Sequence, residues 1–211
     1  MKRILPILLV ISILLCFGLF ASIKSSPPSD QSTVDFLVEF LEAKYENESF
    51  DEFLYVGIKR QRLFHVKNGQ VQNSWAVSTA ARGAGNKFGS FKTPIGLHTI
   101  EAKIGQDAPI GAIFRDKMYT GNTAEISNAK KPSGKDAITT RILTLTGSEV
   151  GLNKGSKNVD TYKRQIYIHG TPEEGLIGKP VSHGCVRMRN NEIIDLFDQV
   201  FVGMNVIILN N

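Results

Sequence analysis

The spacing of apolar residues changes three times along the chain, and each change marks a different kind of element. From Ile4 to Ile23 the run is almost unbroken, with only Pro6, Ser12, Gly18 and Ser22 not strongly apolar. As a helix rising about 1.5 Å per residue it spans roughly 30 Å, the hydrocarbon thickness of a bilayer. Lys2 and Arg3 precede it, an arrangement that keeps the amino terminus cytoplasmic and exports the rest of the chain. A cleavable signal has a shorter apolar core and small residues before the cut. Cleavage after Ala21 or Ser22 would put Leu19 or Phe20 at the third position back, so residues 1–24 read as an uncleaved anchor in preference to a signal peptide. Residues 25–52 read as a linker and a short helix. Ser25 to Ser32 carries turn chemistry without an apolar period. Phe36, Leu37, Phe40 and Leu41 then recur at helical spacing against Asp35, Glu39 and Glu42, with Ser32 or Thr33 as cap.

From Phe53 the period becomes that of strands. Phe53 to Ile58 and Gln61 to Val66 are short β-rich runs, and Asn68-Gly69 predicts a tight hairpin turn into Val71 to Thr79. Further strands are predicted at Gly96 to Ile104, Ala137 to Leu145, Gln165 to His169 and Asn205 to Leu209, separated by loops rich in Gly, Pro, Asn, Lys and Ser. One late amphipathic helix is predicted over Glu192 to Val200, with Asn190 or Asn191 as its cap. Residues 53–211 thus form a single mainly β domain: a mostly antiparallel sandwich or barrel with one or two small helices.

Composition narrows the function. The 211 residues carry a formal charge of +5, of which Lys2, Arg3 and Lys24 supply three; the remainder holds 22 − 20 = +2, too little to argue for nucleic acid. Gly83, Gly85 and Gly89 are not followed by Gly-Lys-Ser/Thr before a helix, which excludes a phosphate loop. Of the two cysteines, Cys16 falls in the apolar segment, so Cys185 has no disulfide partner in its own domain. Its neighbours are polar: His183 and Gly184 before it, Arg187 after it, His169 upstream. Histidines and a cation favour a thiolate, and Cys with His is the kit for acyl transfer. A structural thiol and a zinc site on His169, His183 and Cys185 remain open on residue type alone.

The stretch His169-Gly170, a loop, then Ser182-His183-Gly184-Cys185-Val186-Arg187 resembles the signature of the L,D-transpeptidase catalytic domain family, with Thr93-Pro94-Ile95-Gly96 and the opening hairpin as weaker echoes. The resemblance covers about Phe53 to Leu209. It implies Cys185 as nucleophile, His169 as general base and the Gly170 carbonyl as the group orienting that imidazole. It further implies that His183 shapes the site, and that N–H groups of His183, Gly184 and Cys185 form an oxyanion hole. Arg187 and Ser182 would contact substrate. No cofactor and no metal are implied. The partners implied are peptidoglycan stem peptides, with an acceptor amine from a second stem or a protein lysine. Together with the membrane segment at residues 4–23, this places a monomer in the cell envelope, on the extracytoplasmic face. His65 and Trp75 read as structural, whereas His98 and Tyr119 are open as cleft residues.

Overall fold

The computed structural model describes residues 30–46, 48–134, 136–155 and 158–211, so the expected membrane segment lies outside the described residues. Helix α1 (Asp30–Lys44) precedes strands β1 (Glu52–Gly57), β2 (Arg62–Lys67) and β3 (Gln70–Ala76). Then come β4 (Gly96–Ile104), β5 (Ala112–Arg115), β6 (Met118–Thr123), β7 (Ile138–Gly147), β8 (Tyr167–Gly170) and β9 (Val186–Met188). Helix α2 (Asn190–Gln199) and β10 (Asn205–Leu209) close the chain. Pairing joins all ten strands into one mixed sheet, in the order β3-β2-β1-β10-β4-β7-β5-β6, with β8 branching from β7 and β9 lying beside β8. The pairs β1–β10 and β8–β9 are parallel and the others antiparallel. Among the described residues the fold is therefore mainly β with two α-helices, on a single branched sheet.

Strand β1 shows why its sequence is apolar without alternation. Leu54 and Val56 face a core that includes Ile193, Leu196 and Phe197 of α2, while Phe53 and Tyr55 face Val34, Leu37 and Leu41 of α1. A strand covered on both faces loses the polar half of its pattern. The docked stripe of α1 corrects the expected one. Val34, Leu37 and Leu41 are buried, whereas Phe36 is 73% and Phe40 41% exposed. The surface that receives the helix is already filled by the stacked rings of Tyr55 and Phe64, 5.3 Å apart, and takes the smaller side chains.

The Asn68-Gly69 hairpin forms as expected, with φ of +49° and +70° at its two centres. Strands β5 and β6 were not predicted. Their connection is Asp116-Lys117, with φ of +50° and +68°, so the same kind of turn forms without glycine. Helix α2 begins at Asn190 with Arg189 in the cap position, and Asn190 turns inward instead of capping. At the end of β7, Gly147 is pressed against the loop: an added Cβ would lie 2.1 Å from the Asn153 carbonyl oxygen. Asn153 is itself fixed, donating to the carbonyls of Ile95 and Leu97. Gly147→Ala is expected to lower stability by about 1–3 kcal/mol through overpacking. Urea unfolding should show a lower midpoint at unchanged slope.

Candidate active site

The sheet delivers the chemistry in register. Parallel pairing of β8 with β9 sets His169 opposite Arg187, which places Cys185 just ahead of β9 and beside the start of β8. Both His169 and Cys185 open into one cavity of about 410 Å³, whose wall also includes His183, Arg164, Phe91 and Asp136. The ring of His169 is buried, and its Nδ1 lies 2.7 Å from the Gly170 carbonyl oxygen. A carbonyl only accepts, so Nδ1 carries the proton and Nε2 of the neutral ring keeps its lone pair. Gly170 is glycine because a Cβ there would meet Asn190 Oδ1 and the Thr139 carbonyl at 2.7 Å.

Cys185 is partly exposed to the cavity. Its sulfur accepts from the Tyr167 N–H at 3.4 Å and donates to the Gln165 carbonyl at 3.5 Å. Crowding by protein pushes the thiol up to about 11, against the opposing pull of the Tyr167 N–H and the two arginines 187 and 164. Burial likewise holds His169 down at about 4, despite the Gly170 hydrogen bond. The resting pair is therefore a neutral thiol and a neutral imidazole. This differs from the thiolate that the flanking charges suggested, because desolvation outweighs those charges.

The cysteine loop is held from inside. Ser182 donates to the Cys185 carbonyl at 2.6 Å and accepts from the Gly184 N–H at 3.2 Å. Ser182 is buried, so its hydroxyl serves the loop, and the Gly184 N–H is already engaged. No hydrogen bond from the N–H of His183 or Cys185 occurs among the described residues, which leaves these two as the candidate oxyanion donors. Gly184 has φ +139° and would bring a Cβ within 3.0 Å of Ile166, so a side chain is excluded twice over. Thr93 supports the same loop: its hydroxyl donates to the Gly184 carbonyl and accepts from the Ala80 N–H, both at 2.9 Å.

His183 is exposed at the cavity mouth, with Nδ1 2.9 Å from Asp136 Oδ2. Arg187 is buried, and its guanidinium pairs with Asp136 and, at 3.2 Å, with Glu173. It is thus engaged by protein carboxylates and not held open for one from a substrate. Burial acts to raise the Asp136 carboxyl, but Arg187 and His183 outweigh it and hold it below its usual range. Asp136, Glu173 and Arg164 were missed by sequence reasoning, and Thr93 stood out only as part of the Thr-Pro-x-Gly echo, without its role under the cysteine loop. The acid pair Glu173-Glu174 just after His169 was the available signal, since a buried arginine needs a buried carboxylate. Among the described residues, no three His, Cys, Asp or Glu side chains are placed to share a metal ion.

The remaining singled-out residues lie elsewhere. His65 bonds Glu52 at 2.8 Å, Tyr119 stands on β6, and Trp75 packs on the core. His98 is fully buried between the Gly96 carbonyl and the Thr161 hydroxyl, and desolvation lowers it to about 4. Both His98 and His169 titrate lower in the folded chain than the roughly 6.5 of an unfolded one. Between about pH 6.5 and 4 the unfolded chain binds protons that the fold excludes, so stability is full above that window and declines as pH falls through it. The urea midpoint should drop from pH 7 to 4.5, and drop less in His98→Gln.

A family model for the L,D-transpeptidase catalytic domain (YkuD) matches residues 51–208. Two curated bacterial proteins that bear the L,D-transpeptidase name are similar to this chain. YqjB of Bacillus subtilis is 48% identical over 48 residues, 22% of this chain and 27% of its own length. YcfS of Escherichia coli is 28% identical over 159 residues, 75% of this chain and 44% of its own. The chain thus spans less than half the length of either. Among solved structures, an L,D-transpeptidase from Mycobacterium smegmatis aligns over 75% of this chain and 58% of its own, with 17% identity and a TM-score of 0.45.

Proposed function

Because the chain belongs to the L,D-transpeptidase catalytic domain family, we propose that it is an exported cysteine acyltransferase acting on peptidoglycan stem tetrapeptides at the outer face of the cytoplasmic membrane. The observation that carries the reading is the shared cavity: the Cys185 sulfur and the ring of His169 open into one space, with the tautomer of that ring fixed by Gly170. In the first half-reaction the sulfur bonds to the carbonyl carbon between the diamino acid and the terminal D-Ala. The thiol proton passes to Nε2 of His169, and the N–H groups of His183 and Cys185 receive the oxyanion. Such donors are worth roughly 2.7–4 kcal/mol each in acyl transfer. Collapse breaks the C–N bond, the imidazolium protonates the departing D-Ala amine, and a thioester remains on Cys185. In the second half an acceptor amine attacks, His169 takes its proton, and the thiol leaves with that proton. A second stem gives a 3–3 cross-link, and a protein lysine gives covalent anchoring.

A neutral resting pair suits this sequence, since the proton moves only as the new bond forms. Residues 4–23 supply the export that brings the domain to its substrate. The test is acylation. Incubation with a carbapenem should add the mass of one inhibitor to the folded, reduced protein and leave Cys185→Ala unmodified, as read by intact mass. Modification of Cys185→Ala, or none of the wild type, overturns the reading.

A further inference from the structure

With Arg187 buried against two carboxylates and Arg164 of the same wall already donating to the Gly85 and Lys92 carbonyls, the cavity needs another cation if it is to read an acidic peptide end. One stands beside it. A second cavity of about 310 Å³ is bounded by Ala81, Arg82, Phe91, Ser182 and His183, and shares the last three with the cavity that holds Cys185. The backbone fixes this wall firmly. Gly83 N–H closes a turn on the Ala80 carbonyl at 2.9 Å, Ala81 N–H bonds the Ser182 carbonyl at 3.0 Å, and Thr93 N–H bonds the Gly83 carbonyl at 3.0 Å. Arg82 is therefore carried on a segment tied directly to the cysteine loop. Its guanidinium lies 5.2 Å from the centre of the Phe91 ring, and no carboxylate pairs with it among the described residues.

Phe91 is the second observation. It is half exposed, although it has φ +55°, a conformation costly for a bulky side chain. The ring contacts the Arg82 guanidinium and, nearly perpendicular to it, the His183 ring, whose centre is 6.0 Å away. An exposed aromatic ring held in a costly backbone state gains nothing from core packing. It does bring a planar cation and an imidazole together against one ring. Arginine stacked on an aromatic keeps its N–H fork free for a bidentate carboxylate.

We propose that Arg82, Phe91 and His183 form a carboxylate-reading subsite adjoining the Cys185 cavity, with Arg82 as the contact to the anion. The inference rests on the acyl-transfer reading and deepens it by naming what recognises the peptide's charge. Two peptide carboxylates come close to the reacting atoms: that of the donor's terminal D-Ala, and that beside the acceptor's amine. Both present the same chemistry to Arg82.

Two arms separate them. In the first, the rate of Cys185 acylation by a tetrapeptide, without acceptor, is compared with that for its C-terminal amide by intact mass. In the second, preformed acyl-enzyme is given an acceptor stem with a free or an amidated diamino-acid carboxylate, and dimer formation is followed against acceptor concentration. Arg82→Gln should weaken use of the free acid about tenfold in one arm, chiefly through KM, as expected for loss of one charge-assisted contact. It should leave the matching amide unaffected, and Arg82→Lys should recover part of the loss. Equal behaviour of Arg82→Gln and wild type in both arms, or equal losses for acid and amide, overturns the subsite. Failure of the wild type itself to acylate overturns the acyl-transfer reading and this inference with it, a result distinct from either of the others.

Discussion

Replacing His169 by glutamine is expected to lower the rate of Cys185 acylation by roughly 10²–10⁴-fold, the usual contribution of a positioned general base. The reason lies in the resting charges. With the thiol raised to about 11, almost none is ionised at neutral pH, so attack depends on a neighbouring acceptor for its proton. Glutamine can keep a hydrogen bond to Gly170 but offers no basic nitrogen to the sulfur. His183→Gln should cost less, because that ring is exposed and bonded to Asp136 at the cavity mouth. The pH profile separates the two roles. In the wild type the acid limb of kcat/KM should fall near pH 4, where His169 protonates, and the alkaline limit near 11. His169→Gln should lose the break near pH 4 and instead rise with thiol ionisation toward about 11, whereas His183→Gln should retain the break. A break near pH 4 that survives loss of His169 would assign the base elsewhere.

How much of this was legible from the residues differs between the ends of the site. The β4 and β10 spans and the Asn68-Gly69 turn were readable because each carries a strong local signal: alternation in β4, a short continuous apolar run in β10, and turn chemistry at Asn68-Gly69. The β5–β6 hairpin was not, since Asp116 and Lys117 adopt left-handed backbone without the glycine that usually announces it. The stripe of α1 was half legible, with Leu37 and Leu41 docked but Phe36 and Phe40 not, because helical spacing alone cannot say which apolar positions will dock; Tyr55 and Phe64 decide that from elsewhere in the chain. In the site, Cys185 and His169 stand out by residue type. Their carboxylate support does not: Asp136 is 51 positions from Arg187, and only the fold joins them. The engagement of Arg187 by Asp136 and Glu173 was hidden for the same physical reason. A cation beside a motif looks available until its buried partners are known.

Those partners make the largest expected effect on stability. Arg187 and Glu173 are almost wholly buried, with side-chain exposures of 3% and 6%. The remaining carboxylate oxygen of Glu173 accepts from the Ser133 N–H and hydroxyl at 2.6 and 2.7 Å. Arg187→Met would remove the positive member and leave the Glu173 charge inside protein. Breaking a buried pair in this way costs about 3–5 kcal/mol, far more than the net worth of the intact pair. The double variant Arg187→Met with Glu173→Gln should therefore be more stable than Arg187→Met alone, since the stranded charge is gone while the serine bonds can be kept. Urea unfolding of the four proteins gives the coupling directly. The same single substitution frees Asp136, which holds His183 and is itself paired with Arg187. The single variant should thus lose peptide turnover beyond what its unfolded fraction explains, and the double variant should regain stability without regaining that turnover. Full recovery of turnover in the double variant would show that Arg187 acts on the site through stability alone.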